Sequence, residues 1–311
     1  DLDITQLTAY HIGFVIGPCL NASGRLQTAK LALEMLLCED ETQAQEMAVQ
    51  LKELNEERKN MTQKGVEEAL SLVEEQYEND SVLVVYLPDC HESLAGIIAG
   101  RVREAWNRPS FVLTRSVEEA DSQDGEETVP MAKGSGRSIE AYHMYQGLCG
   151  VQDLLVKFGG HPMAAGFSLR EADIEEFRRR LNEQADLKPE DFVRKIWIDV
   201  PMPLEYISEG LIEELKQLEP FGQGNEKPQF AQKNLLIRSS RVLGRNRNAV
   251  KLSLVTEQGY SMEGMLFTEG DRFMEELGSQ KHIDVIYYPD VNEYNGNRTL
   301  QIVVREYKLH P

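Results

Sequence analysis

The sequence predicts an α/β domain with a mixed sheet and flanking helices, preceded by a long linking helix and followed by a five-stranded OB-fold β-barrel. Three observations carry this. An amphipathic repeat runs over residues 41–79, and a β-α-β order of apolar runs covers residues 81–114. After residue 228, five strand-like runs follow, with one helical segment between the third and the fourth, the order of an OB barrel.

The chain has 311 residues, which suits two or three domains, and 41% of them are apolar, enough for real cores. No apolar run reaches the ~18 residues of a membrane-spanning helix. The start, Asp1-Leu2-Asp3, lacks both an initiator Met and the basic and apolar regions of a signal peptide, so a piece of a longer protein is expected. Cys19, Cys38, Cys90 and Cys149 are far apart and form no CxxC pair. Reduced thiols and a cytoplasmic location are therefore expected, rather than a disulfide framework or a zinc site.

In chain order, residues 16–26 read as a structured turn and 26–38 as a helix. Over 41–79, Ala44, Met47, Leu51, Leu54, Met61, Val66, Ala69, Leu70 and Val73 recur at three- and four-residue steps, which predicts a strut-like helix. Gly65 is its expected weak point, at about 1 kcal/mol relative to Ala. Strands are predicted at 81–87 and 109–114 around a helix at 92–106, and another strand near 129–134. The acidic run 116–128 reads as an exposed loop. Helices are predicted at 139–146, 150–157 and 171–185, closing the first body near residue 190. A strand at 194–200 follows, then a helix capped by Ser208 and a turn-rich linker, Pro220–Pro228. The barrel strands fall near 233–243, 249–256, 260–267, 282–289 and 298–307, with a helix at 269–277 and a hairpin turn at Asn292–Asn297.

A net charge of −19 taken alone argues against nucleic acid, whose binding depends on Lys and Arg displacing counterions. The distribution changes that. Between Glu226 and Glu257 no acid occurs, while Lys227, Lys233, Arg238, Arg241, Arg245, Arg247 and Lys251 all fall there. Beyond a Debye length of about 8 Å the distant acids are screened, so a local stripe can still bind a polyanion.

Four segments could carry chemistry. Ile16-Gly-Pro-Cys-Leu-Asn-Ala-Ser-Gly-Arg-Leu26 sets Arg25 ahead of a helix; its plainer reading is a turn with Arg25 in a salt bridge. His91-Glu-Ser-Leu-Ala-Gly-Ile-Ile-Ala-Gly-Arg101 follows a strand end, where α/β sheets place ligands. Gly96 and Gly100 there permit close backbone approach and Arg101 could reach a phosphate, while His91 could simply start the helix. Lys133-Gly-Ser-Gly-Arg-Ser138 sets hydroxyls around a guanidinium, a combination able to cradle an anionic oxygen, although such loops are common. Phe158-Gly-Gly-His-Pro-Met-Ala-Ala-Gly-Phe-Ser168 leaves room at Gly159 and Gly160 for a ligand beside His161; the alternative is a tight turn.

In this order the four segments resemble the RecJ family of the DHH phosphoesterase superfamily. Gly159-Gly-His-Pro-Met-Ala-Ala-Gly-Phe167 looks like the signature of its DHH-associated domain. Ile16-Gly-Pro18 with Asn21–Leu26 looks like the end of its catalytic domain, and Pro220-Phe-Gly-Gln-Gly-Asn225 resembles the opening of its OB domain. The resemblance implies the C-terminal part of the catalytic domain at 1–38 and a linking helix at 39–80. It implies a DHH-associated substrate-binding domain at 81–190, a connecting segment at 191–227 and the OB domain at 228–311. Cys19 departs from it, standing where the family commonly places Arg.

The family holds Mn²⁺ or Mg²⁺ with Asp-x-Asp and Asp-His-His motifs that precede the segment beginning this chain; no Asp-His-His occurs here, and the one Asp-x-Asp, Asp1-Leu2-Asp3, has no histidine pair beside it. His11, His91, His143, His161, His282 and His310 are scattered, and Asp89-Cys-His91 is the nearest thing to a cluster. Two-metal hydrolysis needs several converging carboxylates and imidazoles. The expectation is a chain with no catalytic residue and no metal of its own, unable to cleave DNA alone.

For the whole enzyme the resemblance implies 5′-to-3′ removal of nucleotides from single-stranded DNA in repair and recombination. Arg25, Arg101, Ser135, Arg137, Ser138, Gly159, Gly160 and His161 would hold backbone phosphates near the 5′ end. Lys233, Arg238, Arg241, Arg245, Arg247 and Lys251 would supply charge on the OB surface. Tyr260, Tyr294 and Phe267 are stacking candidates, with core packing the favoured reading of Phe267. Single-stranded DNA is the expected partner, with single-strand-binding protein or a helicase as candidate protein partners. Two alternatives stay open: a phosphodiesterase for cyclic dinucleotides or short oligonucleotides, which typically lacks the OB extension, and a non-enzymatic strand-binding module.

Overall fold

The computed structural model describes residue 5 and residues 7–116, 129–294 and 296–311, the side chain of Tyr294 excepted. The acidic segment read as a loop falls, but for Ser116, outside the described residues. The chain divides into two units, Asp1–Arg194 and Lys195–Pro311.

The first unit opens with α1 (Ala9–His11), a π-helical turn (Ile12–Ile16), α2 (Gly17–Leu26) and α3 (Lys30–Leu37). Residues 17–26, read from sequence as a turn, are helical: they continue the helix begun at Ala9, and Gly17-Pro18 follows directly on the π-helical turn. The long helix, α4 (Glu41–Leu72), is closed by a π-helical turn, Val73–Tyr77. Asp40 caps its start, accepting from the Gln43 N–H at 2.8 Å. Gly65 is no weak point: a Cβ there would lie 2.6 Å from Ile98 Cδ1, so glycine lets α4 pack closely on the following helix.

The mixed sheet comprises β1 (Leu83–Tyr86), β2 (Ser110–Arg115), β3 (Met131–Arg137), β4 (Leu155–Gly160) and β5 (Ala164–Arg170) in the order β1-β2-β3-β5-β4. The β1–β2 pair is parallel, bridged by α5 (Ala95–Trp106), and the other pairs are antiparallel. One core gathers Phe111, Met144, Phe167, Phe177 and Leu181, with α6 (Met144–Cys149) and α7 (Ile174–Gln184) supplying three of them. Another core joins Val85, Leu94, Ile98, Val102 and Val112 to Ala69 and Val73 of the long-helix region. Each fully buried side chain of this kind contributes roughly 1.5–3 kcal/mol.

Residues 150–157 are not the helix predicted. A 3₁₀ turn at Gln152–Leu154 leads into β4, and the glycine-rich segment after it is the β4–β5 hairpin. Gly159, Gly160 and Gly166 carry no side chains, so the alternation that marks a strand is missing there. At Gly160 a Cβ would stand 2.6 Å from both Ala164 O and Ala165 Cβ, which makes glycine a steric requirement.

In the second unit, β6 (Val200–Pro201) is all that forms of the strand predicted at 194–200, pairing with the start of β7 (Phe230–Leu243). The preceding residues alternate in polarity but are not assigned to a strand, and Trp197 is 83% exposed. Ser208 caps α8 (Glu209–Lys216), accepting from the Leu211 N–H at 3.2 Å. The barrel strands are β7, β8 (Ala249–Val255), β9 (Ser261–Leu266), β10 (His282–Tyr294) and β11 (Asn297–His310), with α9 (Gly270–Leu277) between β9 and β10. Pairing of β10 with both β11 and β7 closes the barrel, and β11 runs parallel to β9. Inside lie Leu235, Leu252, Leu254, Phe273, Ile283, Tyr287 and Ile302. The buried Tyr287 hydroxyl donates to the Met202 carbonyl at 2.6 Å, satisfying its one polar group.

Candidate nucleic-acid interface

In a sheet, residues paired across strands share a face. On one face of the first unit's sheet the register builds three rows. Arg137 pairs with Ala164, beside the hairpin tip that carries His161. Ser135 pairs with Gly166, and Gly166 with Gly159. Lys133 pairs with Ser168, and Ser168 with Lys157. With glycines in the middle row, the floor is thin, and a cleft of about 470 Å³ opens over it, bounded by Ser93, Ala95 and Phe158 among others.

Arg137 lies at the edge of this floor, half-buried, donating to Ser135 Oγ at 3.3 Å and to the Gly136 carbonyl at 2.8 Å. A Cβ at Gly96 would stand 2.8 Å from Arg137 Nη2 and 2.9 Å from Ser135 Oγ. The glycine therefore makes room for these side chains, not for another backbone as its sequence setting suggested. Arg25, near the end of α2, donates to the Ser93 carbonyl at 2.9 Å. His91 caps the turn that presents Ser93: its Nδ1 accepts from the Ser93 N–H at 3.3 Å and lies 2.8 Å from Ser93 Oγ.

A third guanidinium was not found from sequence. Arg58, on α4, donates through Nε and Nη2 to Asn55 Oδ1 at 3.2 and 3.0 Å, and Asn55 is only 4% exposed. Burial first, and then the charge of Arg25, hold both Arg58 and Arg137 below the usual arginine pKa. Among the described residues none of the three has a carboxylate partner. Like charges gathered in partly desolvated surroundings are stabilised by an anion, and guanidiniums match phosphate geometry. On an amphipathic helix any polar-face Arg looks alike, and only the fold brings Arg58 to Arg25.

The other predicted residues divide. His161 is exposed on the hairpin, its backbone N–H donating to Ala164 O at 2.8 Å, and Gly159 faces open space. Gly160 instead packs against β5. Ser138 must be corrected: it is 2% exposed and its hydroxyl donates to the Tyr142 carbonyl at 2.6 Å, so it holds a turn rather than facing a ligand. Arg101 is exposed but engaged with Glu104 at 3.1 Å. Lys133 pairs with Glu92 at 3.1 Å across the cleft. Cys19 donates its thiol to the Val15 carbonyl at 3.3 Å. All four cysteines are free.

On the barrel, Arg241 lies directly opposite Lys251, and Lys251 opposite Met265, forming one outward row. Lys251 also meets Glu263 at 2.8 Å. Arg238, Arg241 and Arg245 are exposed and, among the described residues, have no carboxylate partner. Lys233 does not join them. It lies at the other end of β7, where its charge acts on Asp284. Arg247 is a structural residue: at φ +52° it turns the β7–β8 loop, accepts the Gly270 N–H at 2.7 Å and grips Asp271 with two nitrogens.

Phe267 is 67% exposed one residue past β9, which overturns the core reading. Continued alternation from Met265 sets it toward the face of Lys251. Tyr260 is partly exposed in the β8–β9 turn, at the opposite end of those strands. The side chain of Tyr294 lies outside the described residues.

Among the described residues, no three His, Cys, Asp or Glu side chains gather so as to hold a metal ion, so the donors described here do not fit a two-metal centre. No helix among the described residues is long and apolar enough to cross a membrane.

Two family models match the chain: the DHHA1 domain over residues 79–186 and the RecJ OB domain over residues 198–306. The single-stranded-DNA-specific exonuclease RecJ of Bacillus subtilis is 32% identical over 98% of this chain, which spans 37% of that protein. The protein of the same name from Salmonella typhimurium is 33% identical over 97% of the chain, which spans 52% of it. The crystal structure of RecJ from Thermus thermophilus in complex with Mn²⁺ superposes over 97% of this chain and 42% of that one, at a TM-score of 0.79 and 27% identity. A second structure of that protein, in complex with Mg²⁺, matches with a TM-score of 0.78. The chain thus spans half or less of the length of most of these relatives, and it belongs to the RecJ family, of which it carries the DHHA1 and OB domains.

Proposed function

We propose that this chain is the strand-gripping portion of a 5′-to-3′ single-stranded-DNA exonuclease of repair and recombination. Metal-dependent hydrolysis, with Mn²⁺ or Mg²⁺, belongs in this reading to the part of the longer relatives that the chain does not match. The observation that carries the reading is the cluster of Arg25, Arg58 and Arg137, three guanidiniums without a carboxylate among the described residues, beside Ser135 and the glycine floor. This cluster would hold a phosphate of the strand, with His161 donating a further hydrogen bond. The barrel would add a sequence-independent surface, in which Arg241, Arg245 and Lys251 meet phosphates and Phe267 stacks on a base. That second surface favours a polynucleotide over a cyclic dinucleotide. In this reading the protein works in the cytoplasm, alongside single-strand-binding protein or a helicase that exposes its substrate.

Fluorescence anisotropy with a 5′-phosphorylated oligothymidylate tests this. Removing a charge-assisted hydrogen bond costs about 1.5–3 kcal/mol, so Arg137→Ala should weaken binding by roughly 10- to 100-fold. His161→Ala should weaken it by a smaller factor. Unchanged affinity in both variants contradicts the grip.

A further inference from the structure

The cleft reaches beyond the arginine cluster into the Lys133–Ser168–Lys157 row, which that grip leaves unused. Arg137 folds back toward Ser135, so its guanidinium lies near the middle row. The lysine row is two residues further along the same strands, a step of about 6.5–6.8 Å. Lys133 is fixed by Glu92 at 3.1 Å, and that pair is nearly neutral as a unit. Lys157 is exposed at the cleft and, among the described residues, has no carboxylate partner, so it supplies the row's uncompensated charge. Ser168 stands between the two lysines with a hydroxyl able to donate. The intervening floor, Gly159 and Gly166, has no side chain to separate the two regions: a Cβ at Gly159 would meet nothing within 4 Å.

We propose that this cleft holds a second phosphate group, bound by Lys157 with Lys133 and Ser168, one strand step from the phosphate at Arg137. The inference rests on the arginine grip proposed above. Two sources share this chemistry: the neighbouring phosphate of the same nucleic-acid strand, one nucleoside away, or the outer phosphate of a diphosphorylated 5′ end.

Calorimetry on the full chain separates them, with thymidine 5′-monophosphate, thymidine 3′,5′-bisphosphate and thymidine 5′-diphosphate as ligands. One of the two-phosphate ligands should bind about 10- to 100-fold tighter than the monophosphate, the gain of a charge-assisted contact. Gain with the bisphosphate identifies a strand phosphate, and gain with the diphosphate a 5′ polyphosphate. Lys157→Ala should collapse the ratio of the two affinities toward one. Arg137→Ala should weaken all ligands together and preserve the ratio. Equal affinity for all three ligands, or a ratio that survives Lys157→Ala, overturns the second site while leaving the arginine grip standing. Absence of binding by all three overturns the grip and the second site with it.

Discussion

Gly96 ties sequence to chemistry at the scale of one residue. The missing Cβ on α5 leaves the space that Arg137 Nη2 and Ser135 Oγ occupy. An added Cβ would meet the far end of the Arg137 side chain, which is flexible enough to move aside, so Gly96→Ala should leave the fold intact. It should nevertheless weaken binding of a 5′-phosphorylated oligonucleotide about tenfold or more, because the guanidinium is displaced from Ser135. Stability and affinity measured side by side check this; intact affinity would mean that Arg137 reaches its ligand from another position. Single residues were unevenly legible in the sequence. Arg25, Ser135, Arg137 and His161 stood out because unusual backbone and polar groups crowd short segments. Arg58 and Lys157 did not, since nothing local distinguishes a charged residue on a solvated helix or strand from one brought beside other charges by the fold. Ser138 was misjudged for the complementary reason: a hydroxyl in a promising motif had already been taken by a backbone carbonyl, that of Tyr142.

At the scale of elements, the pattern of side chains was a good guide wherever side chains do the packing. The long helix, the β-α-β start and the five barrel strands all declared themselves through apolar periodicity. The β4–β5 hairpin did not, because its glycines serve thinness rather than burial. The barrel's corner shows how a polar pair can fix an element. Asn234, at φ +56°, breaks the β7 register, and its N–H donates to Asp284 Oδ1 at 2.9 Å, while His310 Nε2 lies 3.1 Å from Asp284 Oδ2. Burial pushes the Asp284 carboxyl up, but these two partners outweigh it and hold the pKa below the usual aspartate value. A carboxylate depressed in the folded state adds stability that is full above its unfolded pKa, near 3.9, and is lost as pH falls through the folded value. Asp284→Asn should therefore lower stability near neutral pH by about 1 kcal/mol and flatten the decline below about pH 4. Thermal unfolding of parent and variant across that range checks the sign, and an unchanged acid limb would show that the pair is not coupled to folding.

For the whole molecule, the net charge of −19 and a proposed polyanion partner are compatible because charge acts locally. Arg25, Arg58 and Arg137 gather on one unit, and Arg241 and Lys251 share a row on the other, where Glu263 offsets only Lys251; many other acids pair off on exposed helices, as Glu176 and Glu183 do with Arg179. The sign of the total charge misleads, whereas the acid-free stretch between Glu226 and Glu257 informs. The central claim is that this chain holds a single strand by its phosphates, and the salt dependence of binding to oligothymidylate tests it most directly. Each phosphate neutralised on a single strand contributes about −0.7 to the slope of log K against log salt, so three or more contacts predict a slope steeper than about −2. A slope near zero, or no binding at low salt, would contradict the account.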